Sequence, residues 1–188
     1  RTDLESSVVV FHQRFSTNTS SRWSLAQPFR MLAHNGEINT IAGNRAWAQA
    51  RAHVWRSEHI DPREFEPVIE TDGSDSQSLD AMLDLLEAGG MDALKAMRIL
   101  VPPATQSLEY KDADLAAFYE YYALNSEPWD GPAGIVLFDG RYAACTLDRN
   151  GLRPARWQLT KDRCFLIASE AGVWDVPAAD VLRKGKLG

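Results

Sequence analysis

Cysteine is scarce in this chain: 188 residues hold two, Cys145 and Cys164. They make neither a metal-ligand spacing nor a disulfide framework. Both fall in apolar, strand-like runs, which predicts buried thiols in a reducing cytoplasm. Positive charge is also in deficit. Twenty Lys and Arg against 26 Asp and Glu leave a net charge of −6 and a pI near 5.2, which argues against a nucleic-acid partner or an anionic membrane surface. No apolar run is long enough to span a bilayer, and the start carries no signal-peptide pattern.

Core-forming residues, by contrast, are plentiful. An apolar content of 45% suits one domain, or most of one, and excludes a disordered chain. Both ends look cut. "RTDLESSVVV" enters a strand with no initiator Met, and "DVLRKGKLG" stops on a Gly with no closing element, so the chain reads as a fragment of something longer. Stranded edges left uncovered at Val8 to Val10 and at Leu137 predict self-association.

Periodicity orders the elements. "SSVVVFHQRFST" (6–17) is β-branched and aromatic and predicts a buried strand. "FRMLAH" (29–34) predicts a second, ending at an Asn35-Gly36 turn. After Gly43, "NRAWAQARAHVW" predicts a helix with Trp47, Val54 and Trp55 on one face, followed by a Pro-containing linker (61–67). "SDSQSLDAMLDLLEAGG" (74–90) is the clearest helix. Ser74 and Gln77 make a capping box, Leu79, Met82, Leu83 and Leu86 repeat at helical spacing, and Gly89-Gly90 ends it. A third helix runs from Asp92 to Val101 before Pro102-Pro103. A fourth, from Asp114, sets Leu115, Phe118, Tyr119 and Tyr122 on one face. Residues 134–170 predict a β-meander turning at Asp139-Gly140 and Asn150-Gly151. Strands, a helical block and strands again indicate an α+β layered domain and not a doubly wound one.

Four places hold polar groups where strands give way to loops or helices. Asn35-Gly36 is either a tight turn or a pair of donors, a side-chain amide and an unhindered backbone N–H, aimed at one oxyanion. Arg14 with Thr17 offers a planar fork for a carboxylate, or a surface ion pair. Asp75 sits in the first turn of a helix, where the helix dipole favours any carboxylate and where a substrate ammonium is the functional alternative. "TLDRNGLRP" reads by itself as a plain turn.

Together, "HQRFSTNT", "PFRMLAHNGEINT", "GNRAWAQAR", "SDSQSLD", "GPAGIVLFDGRYAACTLDRNGLRPAR" and "ASEAGVWDVP" closely resemble the class II, N-terminal-nucleophile glutamine amidotransferase domain of glutamate synthase large subunits. The resemblance runs from about Val8 to the end. It implies an Ntn-hydrolase fold, a four-layer αββα sandwich with a helical insertion, of which residues 1–188 would be the C-terminal portion, incomplete at both ends. It implies hydrolysis of L-glutamine by an N-terminal Cys whose α-amino group is the base, with ammonia passed on for reductive amination of 2-oxoglutarate. Asn35 and Gly36 would form the oxyanion hole, so that the pair would be both a tight turn and two donors aimed outward. Arg14, helped by Thr17, would bind the α-carboxylate of glutamine, and Asp75 its α-ammonium. FMN, an iron–sulfur cluster and NADPH would belong to the remaining domains and a small NADPH-oxidising subunit; no motif for a cofactor or metal occurs here.

One departure matters. Residue 1 is Arg and no Cys precedes position 145. Cys145 sits mid-strand and fills a core position in the resemblance, so the fragment itself is expected to be inactive. The alternatives are a non-catalytic glutamine-sensing or partner-docking domain, and a hydrolase built on Cys145 and a histidine, which no spacing supports.

Overall fold

The computed structural model of the chain describes residues 3, 5–16, 19–104 and 112–188. Among them lie two three-stranded antiparallel sheets and four α-helices. The first sheet has the order β1 (Leu32–Gly36), β2 (Ala133–Phe138), β3 (Ala143–Leu147). The second is built from β4 (Arg156–Thr160), β5 (Phe165–Ala168) and β6 (Val181–Lys186), in the order β5-β4-β6. No helix among the described residues is long and apolar enough to cross a membrane.

The helices α1 (Ile41–Arg51), α2 (Asp75–Ala88), α3 (Ala93–Leu100) and α4 (Ala113–Ala123) start where local chemistry dictates. Ser74 Oγ accepts the Gln77 N–H at 3.0 Å, Asp92 the Lys95 N–H at 3.0 Å, and Asp112 the Asp114 N–H at 2.9 Å, each satisfying an orphan donor of a first turn. At α2 only half of the capping box forms. Gln77 Oε1 is buried without a partner among the described residues, lying where a Cβ on residue 73 would be.

The core lies on one face of the first sheet. Leu32, Ile135 and Leu137 pack with Leu79 and Leu83 of α2, Ala96 and Leu100 of α3, and Trp129. Fully burying a side chain of this size stabilises by about 1.5–3 kcal/mol, so this face holds the strands and helices in one unit. The turn after β3 carries the chain to the second sheet. There Asp148, with four backbone N–H bonds from Ala133, Asn150, Leu152 and Arg153 at 2.8–3.1 Å, organises the corner. Those donors favour its ionised form and hold its pKa below the ordinary value against the opposing effect of burial.

The structure corrects several expectations. Residues 6–16 form no strand; Val9 and Phe11 are 72% and 53% exposed. β propensity needs a neighbouring backbone, and among the described residues no ladder reaches this segment. Leu137, expected to be uncovered, is 2% exposed because it lies on the helix-covered face. α1 buries Asn44 and Ala48 instead of Trp47 and Val54, and of the expected face only Trp55 packs on the core. Asn44 bonds Pro128 O at 3.2 Å, while Trp47 lies outside under the Arg51 guanidinium at 4.6 Å. On α4 Tyr119 is buried but Leu115 is 41% exposed. The expected single meander is two hairpins in two sheets, and a closing strand, β6, does exist. Cys164 is exposed, just before β5, whereas Cys145 on β3 is half-buried and its thiol is pushed up by burial to about 11.

Candidate functional site

The site begins with the hydrogen-bond parity of β1. Phe138 N–H donates to Met31 O and Glu37 N–H to Pro132 O, both at 2.9 Å. Antiparallel pairs alternate between bonded and non-bonded, so Ala33 and Asn35 spend their backbone groups on β2, while Leu32, His34 and Gly36 turn theirs to the open edge. That edge is dressed by side chains. Asp80 accepts from Leu32 N–H at 2.9 Å, and the Gln27 amide pairs with His34 N–H and C=O at 2.7 and 3.2 Å. Gly36 N–H, at the end of the strand, is left free by the ladder.

Asn35-Gly36 is therefore not a tight turn between strands. It is the end of β1, paired in register with Gly134 and Ala133. Glycine is required at 36 by contact: φ is +155°, and a Cβ would lie 1.8 Å from Pro132 O.

Around this strand end lies a cleft of about 400 Å³ whose wall includes Arg14, His34, Asn35, Gly36, Asp75 and Arg153. Four of the five expected site residues are thus brought together, and the fifth, Thr17, lies outside the described residues. Arg14 is exposed, and its guanidinium makes no ion pair among the described residues. Asp75 heads α2, with its carboxylate accepting Ile38 N–H and Ser76 N–H, each at 2.8 Å, so it is fixed to both the helix and the β1 end. Arg45 of α1 fixes the loop before it, donating to Thr71 O, Gly73 O and Ser78 Oγ at 2.8, 2.7 and 3.1 Å.

Sequence reasoning missed His34, Ser76, Gln27, Arg153 and Ser169. His34 is 2% exposed, with Nδ1 2.8 Å from Ser76 Oγ, which in turn donates to Asp75 Oδ1 at 3.3 Å. Burial lowers the His34 pKa, outweighing the attraction of Asp75, so the ring is neutral. Ser169 Oγ accepts from Asn35 Nδ2 at 2.8 Å across 134 residues of sequence, a separation no local pattern reports. Arg153, within the segment read as a plain turn, does follow a turn, but its side chain reaches the cleft wall and pairs with Glu170 at 3.0 Å.

A second cavity of about 360 Å³, lined by Ala48, Ala52, Trp55, Pro67 and Ile69 with Gln49 and Glu66, brings no such set of polar groups together. Neither cysteine lines the first cleft, and no cluster of metal-ligating side chains occurs among the described residues.

The whole chain, residues 1–188, matches the family described as "Glutamine amidotransferases class-II". The chain belongs to this family. Among curated relatives, it is 46% identical over 190 residues to "Ferredoxin-dependent glutamate synthase" of Pyropia yezoensis, covering 99% of this chain. It is 45% identical to "Ferredoxin-dependent glutamate synthase 1, chloroplastic/mitochondrial" of Arabidopsis thaliana over 98% of the chain. It is also 45% identical to "Glutamate synthase [NADH]" of Schizosaccharomyces pombe over 95% of the chain. The chain spans 12% of the length of the first two relatives and 9% of the third.

Proposed function

We propose that this chain forms the glutamine-binding part of the glutaminase domain of a glutamate synthase, and that the domain is an Ntn-type αββα sandwich with a helical insertion. The observation that carries the reading is the convergence on one cleft of Arg14, Asn35, Gly36 and Asp75, with the Gly36 N–H free of the ladder. The helical layer on one face of the first sheet, and the approach of the second sheet to the other face at Ser169, support the layered fold.

In this reading Arg14, with Thr17, takes the α-carboxylate of glutamine in its planar fork, and Asp75 takes the α-ammonium. The side-chain carbonyl then lies at the end of β1. A thiolate adds to the carbonyl carbon, and the oxygen that gains the electron pair is met by Asn35 Nδ2 and Gly36 N–H. Collapse of this adduct breaks the C–N bond and releases ammonia, and water hydrolyses the glutamyl thioester to glutamate and restores the thiol. Burial keeps Cys145 protonated on β3, away from the cleft. By resemblance to the family, the nucleophile is an N-terminal Cys with its α-amino group as base; neither Cys145 nor Cys164 lines the cleft, so in this reading the 188 residues alone are inactive.

The ammonia serves reductive amination of 2-oxoglutarate on other domains of the same enzyme, where FMN, an iron–sulfur cluster and an electron donor (NADPH through a small subunit, or ferredoxin) supply the electrons. The cytoplasm is the proposed location.

The test is Asn35→Ala in the full-length protein. Removing one of two oxyanion donors lowers glutaminase kcat about 10²–10³-fold, or about 2.7–4 kcal/mol. KM changes little, since the ground-state carbonyl gains far less from that donor. Ammonia-dependent glutamate formation is unaffected. Tight glutamine binding with no turnover in the unaltered full-length protein identifies a glutamine sensor instead.

A further inference from the structure

We propose that Ser169 is a positioning residue for the Asn35 side-chain amide, a strut from the second sheet that aims the donor at the cleft; this rests on the reading of Asn35 as an oxyanion donor.

Asn35 and His34 leave β1 on opposite faces. His34 is buried with Ser76 on the helix side, so the Asn35 amide is directed to the other side, where Ser169 Oγ receives its Nδ2 at 2.8 Å. A primary amide has two N–H bonds on that nitrogen. With one held by Ser169, the second has a fixed direction and is the one available to the cleft. Without the strut, the terminal torsion of Asn is soft, and the donor spends its time over a broad arc, including orientations that place the amide oxygen where the oxyanion forms.

The surroundings hold Ser169 itself in place. It directly follows β5, and the Glu170 carboxylate beside it pairs with Arg153 at 3.0 Å, whose backbone N–H is tied to Asp148 at 2.8 Å. Opposite Asn35 in the ladder stands Gly134, and a Cβ there would already touch Ser169 Cβ at 3.4 Å and Arg153 Cγ at 3.5 Å. The strut therefore reaches the first sheet over a residue without a side chain.

The experiment is a double-mutant cycle in the full-length protein, with steady-state glutaminase kinetics for Ser169→Ala, Asn35→Ala, the pair together, and Ser169→Thr. Loss of one neutral hydrogen bond that orients the donor lowers kcat about 3- to 10-fold in Ser169→Ala. KM stays within about twofold and Ser169→Thr, which keeps the hydroxyl, returns most of the loss. The pair together is no slower than Asn35→Ala, because Ser169 has nothing left to orient. If Asn35→Ala is slow while Ser169→Ala turns over normally, the strut is wrong and the oxyanion reading stands. Multiplying losses in the double variant overturn it too, since Ser169 would then act by another route. A harmless Asn35→Ala removes the underlying reading and this inference with it. Should Ser169→Ala not fold, Ser169→Cys, similar in size but a poorer acceptor, takes its place in the cycle.

Discussion

His34 Nδ1 lies 2.8 Å from Ser76 Oγ, and both residues are 2% exposed. The pair joins β1 to the first turn of α2, in the wall of the cleft. Because burial holds the His34 pKa below its ordinary 6.5, the unfolded chain binds a proton more readily than the folded one. Stability from this group is therefore complete above about pH 6.5 and is lost as pH falls below that value toward the folded pKa. In the full-length protein, amide exchange of β1 and the start of α2, corrected for intrinsic rates, accelerates as pH falls below 6.5. His34→Gln flattens that dependence. An equal pH dependence in the variant assigns it to other groups.

The two thiols differ in reactivity. Cys164 is exposed, whereas Cys145 is half-buried with its pKa raised to about 11. Since the thiolate is the reactive species, iodoacetamide at pH 7.5 labels Cys164 first under native conditions and Cys145 about tenfold or more slowly, the two rates converging in denaturant. Peptide mass mapping reads both. Fast native labelling of Cys145 would revive a nucleophile on β3.

How much of this was legible in the sequence depends on whether the signal was local. The Ser74 half of the α2 capping box, the apolar repeat of α2 and the stop of α3 before Pro102 depend on residues within a turn or two of one another, and they form as expected. Cys164 looked buried because it adjoins the apolar run Phe165 to Ala168, but which residues a short strand covers is decided by what packs on it. Val8 to Phe11 looked like a strand for the same reason. The grouping of Arg14, Asn35, Gly36 and Asp75, which the structure places on one cleft, was suggested by motif resemblance, which carries long-range information that periodicity does not. The partners that orient them, Ser169 for Asn35 and Ser76 with His34 beside Asp75, come from other elements and left no mark at fixed spacing.

In the proposed reading Arg14 and Asn35 meet different parts of glutamine, and their variants would separate accordingly. Arg14→Lys replaces a bidentate fork by a point charge on the α-carboxylate. That contact is the same in the ground and transition states, so KM for glutamine rises about tenfold, near 1.4 kcal/mol, while kcat stays within about threefold. A fall in kcat at unchanged KM would place Arg14 at the reacting carbonyl instead.

Gly36→Ala tests the geometry of the strand end directly. The added Cβ meets Pro132 O at 1.8 Å, Pro132 C at 2.7 Å and Ala133 Cα at 2.9 Å. All three are backbone atoms, so no side-chain rotation relieves the contact. Nor does a local backbone turn, because φ at +155° is already unfavourable to an L side chain. The end of β1 must move off β2, and it takes with it the Gly36 N–H and the Asn35 amide. The bend before β2 offers no slack, since a Cβ at Gly131 would itself meet Glu37 O at 2.0 Å. Glutaminase kcat is therefore expected to fall at least as far as in Asn35→Ala, about 10²-fold or more, with lower thermal stability. Gly43→Ala is the matched control. It lies in the first turn of α1 with nothing within 4 Å of its Cβ, and alanine is favoured over glycine in a helix by at most about 1 kcal/mol, so this variant loses no stability and keeps its turnover. Normal glutaminase activity in Gly36→Ala would mean that the end of β1 does not present the oxyanion donors.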